Sequence, residues 1–146
     1  MSLEALYQEL LLDHSKRPRG KHLADEEGRT ATSHQHNPVC GDDVTLRVRV
    51  SSDGDTIRDV TWEGAGCSVS QASASMLTEL VEGMPRGEAV ALIDGFRTAL
   101  RSRGEIPLDE DVYLDAAALS GVSRYVARVK CAMLAWVALE DALARA

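Results

Sequence analysis

Apolar and polar residues alternate strictly over residues 44–50. Val44, Leu46, Val48 and Val50 fall on one side and Thr45, Arg47 and Arg49 on the other. A period of two predicts a strand with one buried face. Ser51-Ser52-Asp53-Gly54-Asp55 then carries turn chemistry and predicts a hairpin. Residues 57–63 return as a second strand, with Ile57 and Val60 less regularly spaced, and Gly64 and Gly66 are expected to end the sheet. Upstream, residues 29–37 are polar but β-permissive and predict a short edge strand, closed by a turn at Pro38 and Gly41.

The rest of the chain changes to helical periodicity. Leu3, Leu6, Tyr7, Leu10 and Leu11 predict an amphipathic helix over residues 3–14. Residues 15–27, broken by Pro18 and Gly20, read as loop. Residues 68–82 form a helix rich in small side chains, stopped by Gly83-Met84-Pro85. Another helix spans 85–100, weakened by Gly95, and a polar connector with Gly104 and Pro107 fills 101–111. A short helical piece at 113–119 closes at Gly121. The longest helix covers 122–144, with Val126, Val129, Met133, Trp136, Val137 and Leu143 as packing positions. The expected class is α+β, a small antiparallel sheet of about three strands packed against several helices.

At 146 residues, with neither repeat nor low-complexity tract, the chain is expected to form one domain, 1–146, large enough for a core without disulfide staples. Aromatic residues are only 4% of the sequence, so that core must be built mostly from Leu, Val, Ala and Met. A net charge of −7 without a basic stripe argues against nucleic-acid binding and leaves room for a basic protein partner. No apolar run approaches the ~20 residues that cross a bilayer, and Met1-Ser2-Leu3-Glu4 does not open a secretory leader. The expected location is cytoplasmic. An odd count of three cysteines fits a reducing compartment.

Those cysteines hold the candidate chemistry. Taken singly, each reads more readily as a small buried core residue, and none forms a Cys-x-x-Cys pair. Their settings alter that balance. Cys40 sits in Asn37-Pro38-Val39-Cys40-Gly41-Asp42, a turn that presents a side chain rather than burying it. Asp42 is two residues on, with Asp43 as the competing carboxylate. Cys67 follows Gly64-Ala65-Gly66 where a helix begins, and unpaired N–H groups there favour negative charge. Cys131 lies within the last helix, three residues after Arg128, which shares its face. Three sulfurs and a carboxylate complete a four-ligand zinc site, whose excess negative charge Arg128 would offset. His34 and His36 alternate along one strand and read as ordinary exposed histidines without other ligands nearby. His14 and His22 are given no role.

With these residues in view, the chain resembles the SufU family, relatives of the IscU iron–sulfur scaffolds. LEALYQELLLDHSKRPR from Leu3, NPVCGD from Asn37, EGAGCSVSQASASML from Glu63 and GVSRYVARVKCAMLAWVAL from Gly121 carry the resemblance. IscU-type proteins look like His-Cys at the last motif, whereas this chain has Lys130-Cys131. The connector over 101–118 resembles the SufU insertion. Val126 is a departure, standing where proline is expected in many relatives.

The resemblance implies a zinc-bound sulfur acceptor that works with a SufS-like cysteine desulfurase, a pyridoxal-phosphate enzyme. Sulfur would then pass on toward a downstream Suf cluster-assembly scaffold. Carried over by motif, the zinc ligands are Cys40, Asp42, Cys67 and Cys131, Cys40 is the acceptor, and Arg128 supports the site or the interface. Two other readings compete. One is an iron–sulfur scaffold using the same ligands, which the absent histidine before Cys131 counts against. The other is a structural zinc module whose metallated cysteines are inert.

Overall fold

The computed structural model describes residues 2–38 and 41–146. Its order is α1 (Leu3–Lys16), β1 (Arg29–Asn37), β2 (Asp42–Val50), β3 (Ile57–Ala65), α2 (Ser68–Val81), α3 (Arg86–Leu100), α4 (Glu110–Tyr113), a 3₁₀ segment (Leu114–Arg124) and α5 (Val126–Arg145). The strands form one antiparallel sheet in the order β1-β2-β3, so the α+β expectation holds. Among the described residues no helix is long and apolar enough to cross a membrane.

The alternation of β2 is realised residue by residue, with Val44, Leu46, Val48 and Val50 buried and the residues between them half-buried. Cross-strand partners share a face, so Ala31 opposite Val48, and Val60 and Trp62 opposite Val48 and Leu46, extend that inner face. α5 packs against β1 and β2, and α2 against β3 and α5. On the outer face Arg49 holds Asp59 through two hydrogen bonds of 2.9 and 2.5 Å. The loop before β1 covers part of that face, with Arg47 donating to Ala24 O (2.6 Å).

Several boundaries depart from expectation. β1 keeps the expected bounds and edge position, although at nine residues it is not short. β3 runs two residues further than predicted and includes Gly64, which pairs with Val44. Leu3 and Leu6 are exposed, and α1 packs through Tyr7, Leu10 and Leu11, with His14 its one buried residue among those described. The last helix begins at Val126, not 122, because residues 114–124 wind as 3₁₀. Val126 is therefore not a packing position; it is 65% exposed. It stands in the first helical turn, where proline is well tolerated, so the absent ring leaves the helix start intact.

Phe96 and Trp136 stack with ring centroids 3.7 Å apart, and Tyr113 tilts against both. Gly95 admits this arrangement, since a Cβ there would lie 2.4 Å from the Tyr113 hydroxyl, which donates to Leu92 O (2.9 Å). Trp136 Nε1 donates to Ser73 Oγ (2.9 Å), and Ser73 Oγ donates to Ala132 O (2.6 Å), pinning α2 to α5. Trp136→Ala is expected to cost about 4 kcal/mol of unfolding free energy, read from the midpoint of urea denaturation.

His14, given no role from the sequence, proves to be a joint. Ser75 Oγ accepts from Arg19 N–H (2.8 Å), which leaves its own proton for His14 Nδ1 (2.6 Å). The Nε2–H then donates to Asp115 (2.9 Å), so one buried imidazole ties α1 to α2 and to the 3₁₀ segment.

Candidate metal centre

Three of the four expected ligands converge where β2, α2 and α5 meet. One oxygen of Asp42 and the sulfurs of Cys67 and Cys131 all lie within 4.8 Å of one another. Asp42 and Cys131 are fully buried and Cys67 is half-buried. Cys40, with Val39, lies outside the described residues. The chain reaches that pair from Pro38 and leaves through Gly41, whose N–H donates to Asn37 O (2.8 Å) beneath the Asn37–Asp42 strand pair.

Strand parity separates the two candidate carboxylates. Asp42 continues the inward series 44, 46, 48, 50 and points at the thiols, whereas Asp43 points outward. The Cys67 N–H donates to Asp42 Oδ1 (2.9 Å), and Cys67 Sγ lies 3.9 Å from Oδ2. Cys67 is the N-cap of α2 but makes no side-chain hydrogen bond into the helix, so its sulfur is not consumed in capping. Ser68 is the first helical residue, not the cap.

Two glycines make the convergence possible. A Cβ on Gly66 would lie 2.4 Å from Asp42 Oδ1 and 2.5 Å from Ser70 Oγ. Gly64 has φ of +151°, and a Cβ there would meet the Asp43 carbonyl oxygen at 2.0 Å. Only glycine lets β3 approach β2 this closely before the chain turns into α2.

Arg128 lies against both sulfurs. The negative charge available at Cys67, then the hydrogen bond to Cys131, raise its already high pKa further. Lys130 is exposed. His34 and His36 share the outer face as expected, but they have a carboxylate neighbour: Asp43 sits 2.5 Å from His34 Nε2 and 3.7 Å from His36 Nδ1. The side chains of all three are roughly half exposed.

The donors suit zinc. Two thiols and a carboxylate, drawn from three elements and backed by a guanidinium, form a compact anionic cluster around one point. An arrangement meant only to fill a core would not bury a carboxylate against two thiols.

Comparison with known proteins agrees in extent. The chain is 37% identical over 145 residues to the zinc-dependent sulfurtransferase SufU of Bacillus subtilis, covering 99% of this chain and 93% of that one. It is 39% identical over 143 residues to the iron–sulfur cluster assembly scaffold protein IscU of Streptococcus pyogenes, covering 98% and 86%. The fold matches a crystal structure from Fervidobacterium islandicum, described as a putative iron–sulfur cluster assembly scaffold protein for the SUF system, with a TM-score of 0.82. Identity to that protein is 32%, with 97% of this chain and 99% of that one covered. The model of the NifU-like N-terminal domain matches residues 6–144, and the chain belongs to that family.

Proposed function

We propose that this protein is a zinc-dependent sulfur acceptor that takes persulfide sulfur from a cysteine desulfurase for iron–sulfur cluster assembly in the cytoplasm. One observation carries the reading: Asp42, Cys67 and Cys131 gather within 4.8 Å, with Arg128 against the two sulfurs. Cys40, in the turn that leads into Asp42, supplies the fourth ligand and the acceptor sulfur. Zinc, when bound, keeps its thiol ligands deprotonated. Cys67 begins α2 and Cys131 lies within α5, so both are held by regular structure. Gly41, which follows Cys40 directly, has φ of +70°, and no described residue other than its chain neighbour lies within 4 Å of the point a Cβ would occupy.

The transfer is an exchange at sulfur. The Cys40 thiolate attacks the outer sulfur of the donor persulfide. A new S–S bond forms at Cys40 as the donor's S–S bond breaks, and the electron pair leaves on the donor cysteine as thiolate. No external oxidant or reductant is needed. The test is metal content after purification without added metal, paired with the desulfurase rate. One zinc per chain and a stimulated rate support the reading; zinc without stimulation favours a structural module.

The name carried by the Streptococcus relative favours a second reading, a scaffold on which a cluster is built by the same four residues. Anaerobic reconstitution separates the two. A stable visible chromophore that transfers to an apo-protein would put the scaffold first.

Strand parity gives a sharp prediction for the carboxylates. Asp42→Asn keeps an oxygen for the Cys67 N–H but removes the anionic ligand. It is expected to weaken zinc binding at least about a hundredfold, measured by chelator competition. Asp43→Asn should leave the zinc affinity unchanged, and equal losses in both variants would remove Asp42 from the site.

A further inference from the structure

Beside the metal centre, on the neighbouring face of α5, runs a groove of roughly 570 Å³ between α5, the end of α3 and the end of β1 with Pro38. Its floor is apolar, built from Leu100, Val129, Met133, Leu134 and Val137. Its rim is cationic, with Arg101, Arg103 and Lys130 exposed. None of these three forms an ion pair with a described residue. Arg97 also lines the groove but is engaged by Glu140 and Asp94. None of the described lining residues is acidic, although acids outnumber Lys and Arg 23 to 16 over the chain.

We propose that this groove docks an acidic segment of the sulfur donor, carrying one or two apolar anchor side chains. The inference rests on the sulfur-acceptor reading above. Charge complementarity identifies the segment: an uncompensated basic rim on an acidic protein attracts a local negative charge and little else. A nucleic acid would be repelled by the net charge of −7. The apolar floor requires side chains that gain by leaving water, which a free inorganic anion lacks. Position identifies the partner. Val126, 65% exposed at the mouth of the groove, lies two residues from Arg128 and five from Cys131. Tyr125 beside it is 66% exposed. This start of α5 belongs to the same helix as Arg128 and Cys131, so a protein seated in the groove lies beside the thiols.

Arg103 is held in the left-handed region, at φ of +58°, next to Gly104 at +87°. This sharp turn after α3 carries Arg103 on the groove's rim. The floor would contribute affinity and the rim would contribute encounter rate and orientation.

The test uses the full-length zinc-loaded protein and the pyridoxal-phosphate cysteine desulfurase of the same organism. The dissociation constant is measured by fluorescence anisotropy from low to high salt, and the maximal desulfurase stimulation is measured at saturation. Arg101→Glu/Arg103→Glu is expected to weaken binding about tenfold at low salt, with the gap closing as salt rises. Maximal stimulation should stay at the wild-type level. Val126→Glu should weaken binding as well, by charging the mouth. Unchanged dissociation constants in both variants, or a wild-type constant insensitive to salt, would overturn the groove and leave the sulfur-acceptor reading intact. Wild-type protein that binds the desulfurase without stimulating it overturns that reading instead, and the groove is then decided by the dissociation constants. Wild-type protein that does not bind overturns both.

Discussion

Cys40→Ala is expected to return the desulfurase to its unassisted rate, a loss of stimulation of at least about a hundredfold if the side chain is the attacking group. The measurement is sulfide release from L-cysteine under reducing conditions. Loss of rate alone would not separate an acceptor from a ligand, because the same sulfur is proposed to do both. Mass spectrometry after a single turnover does. Wild-type protein should carry one added sulfur atom on the Cys40 peptide, and none on those of Cys67 or Cys131. Cys131 is fully buried, which shields its sulfur from a large donor. Added sulfur on Cys67, or full stimulation by Cys40→Ala, would move the acceptor role elsewhere. The Cys67 sulfur is the better placed alternative, being half-buried beside Arg128.

The second large effect concerns a residue without a side chain. Gly64→Ala is expected to destabilise the fold by at least about 3 kcal/mol and to abolish stoichiometric zinc binding. Its φ of +151° is a region that L residues avoid, and its new methyl would sit 2.0 Å from the Asp43 carbonyl oxygen. That neighbour is backbone in a paired strand and cannot rotate away. The displacement would fall between Asp42 and Cys67, which β2 and the start of α2 hold 3.9 Å apart. Equilibrium urea unfolding and zinc titration read the two consequences. Gly87→Ala is the control: nothing lies within 4 Å of its added methyl, and α3 should be unchanged or gain up to about 1 kcal/mol. Similar losses in both variants would mean that close strand approach does not govern the site.

Legibility in the sequence followed the strength of the local physics. The period-two run of 44–50 fixed β2 and its buried face, and the same parity carried back two residues distinguishes Asp42 from Asp43. β1 was legible in its bounds and edge position despite its polar sequence, and pairing with β2 along its whole length holds it in place. The start of α5 was misplaced because residues 114–124 satisfy helical spacing without forming an α-helix. His14 was unreadable as a joint, since Ser75 and Asp115 lie 61 and 101 residues away. Gly64 and Gly66 looked like breakers of a strand, and proved to be places where two parts of the backbone and a carboxylate crowd together. The meeting of Cys67 and Cys131 with Asp42 was legible from the settings of the cysteines and from motif resemblance, not from spacing.

The hydrogen bonds of Ser73 have a thermodynamic consequence. They link Ala132 and Trp136 to the helix that Cys67 begins, one residue and five residues beyond Cys131, and they do so with no ion participating. The joint between the helices that carry Cys67 and Cys131 is thus made by protein groups alone. Removal of zinc is expected to leave the chain folded, in contrast to zinc fingers, which unravel when stripped. Chelation should leave a native apo-protein able to be refilled, read by circular dichroism before and after zinc is restored; a chain that unfolds on chelation would show that the ion, not Ser73, holds the helices together.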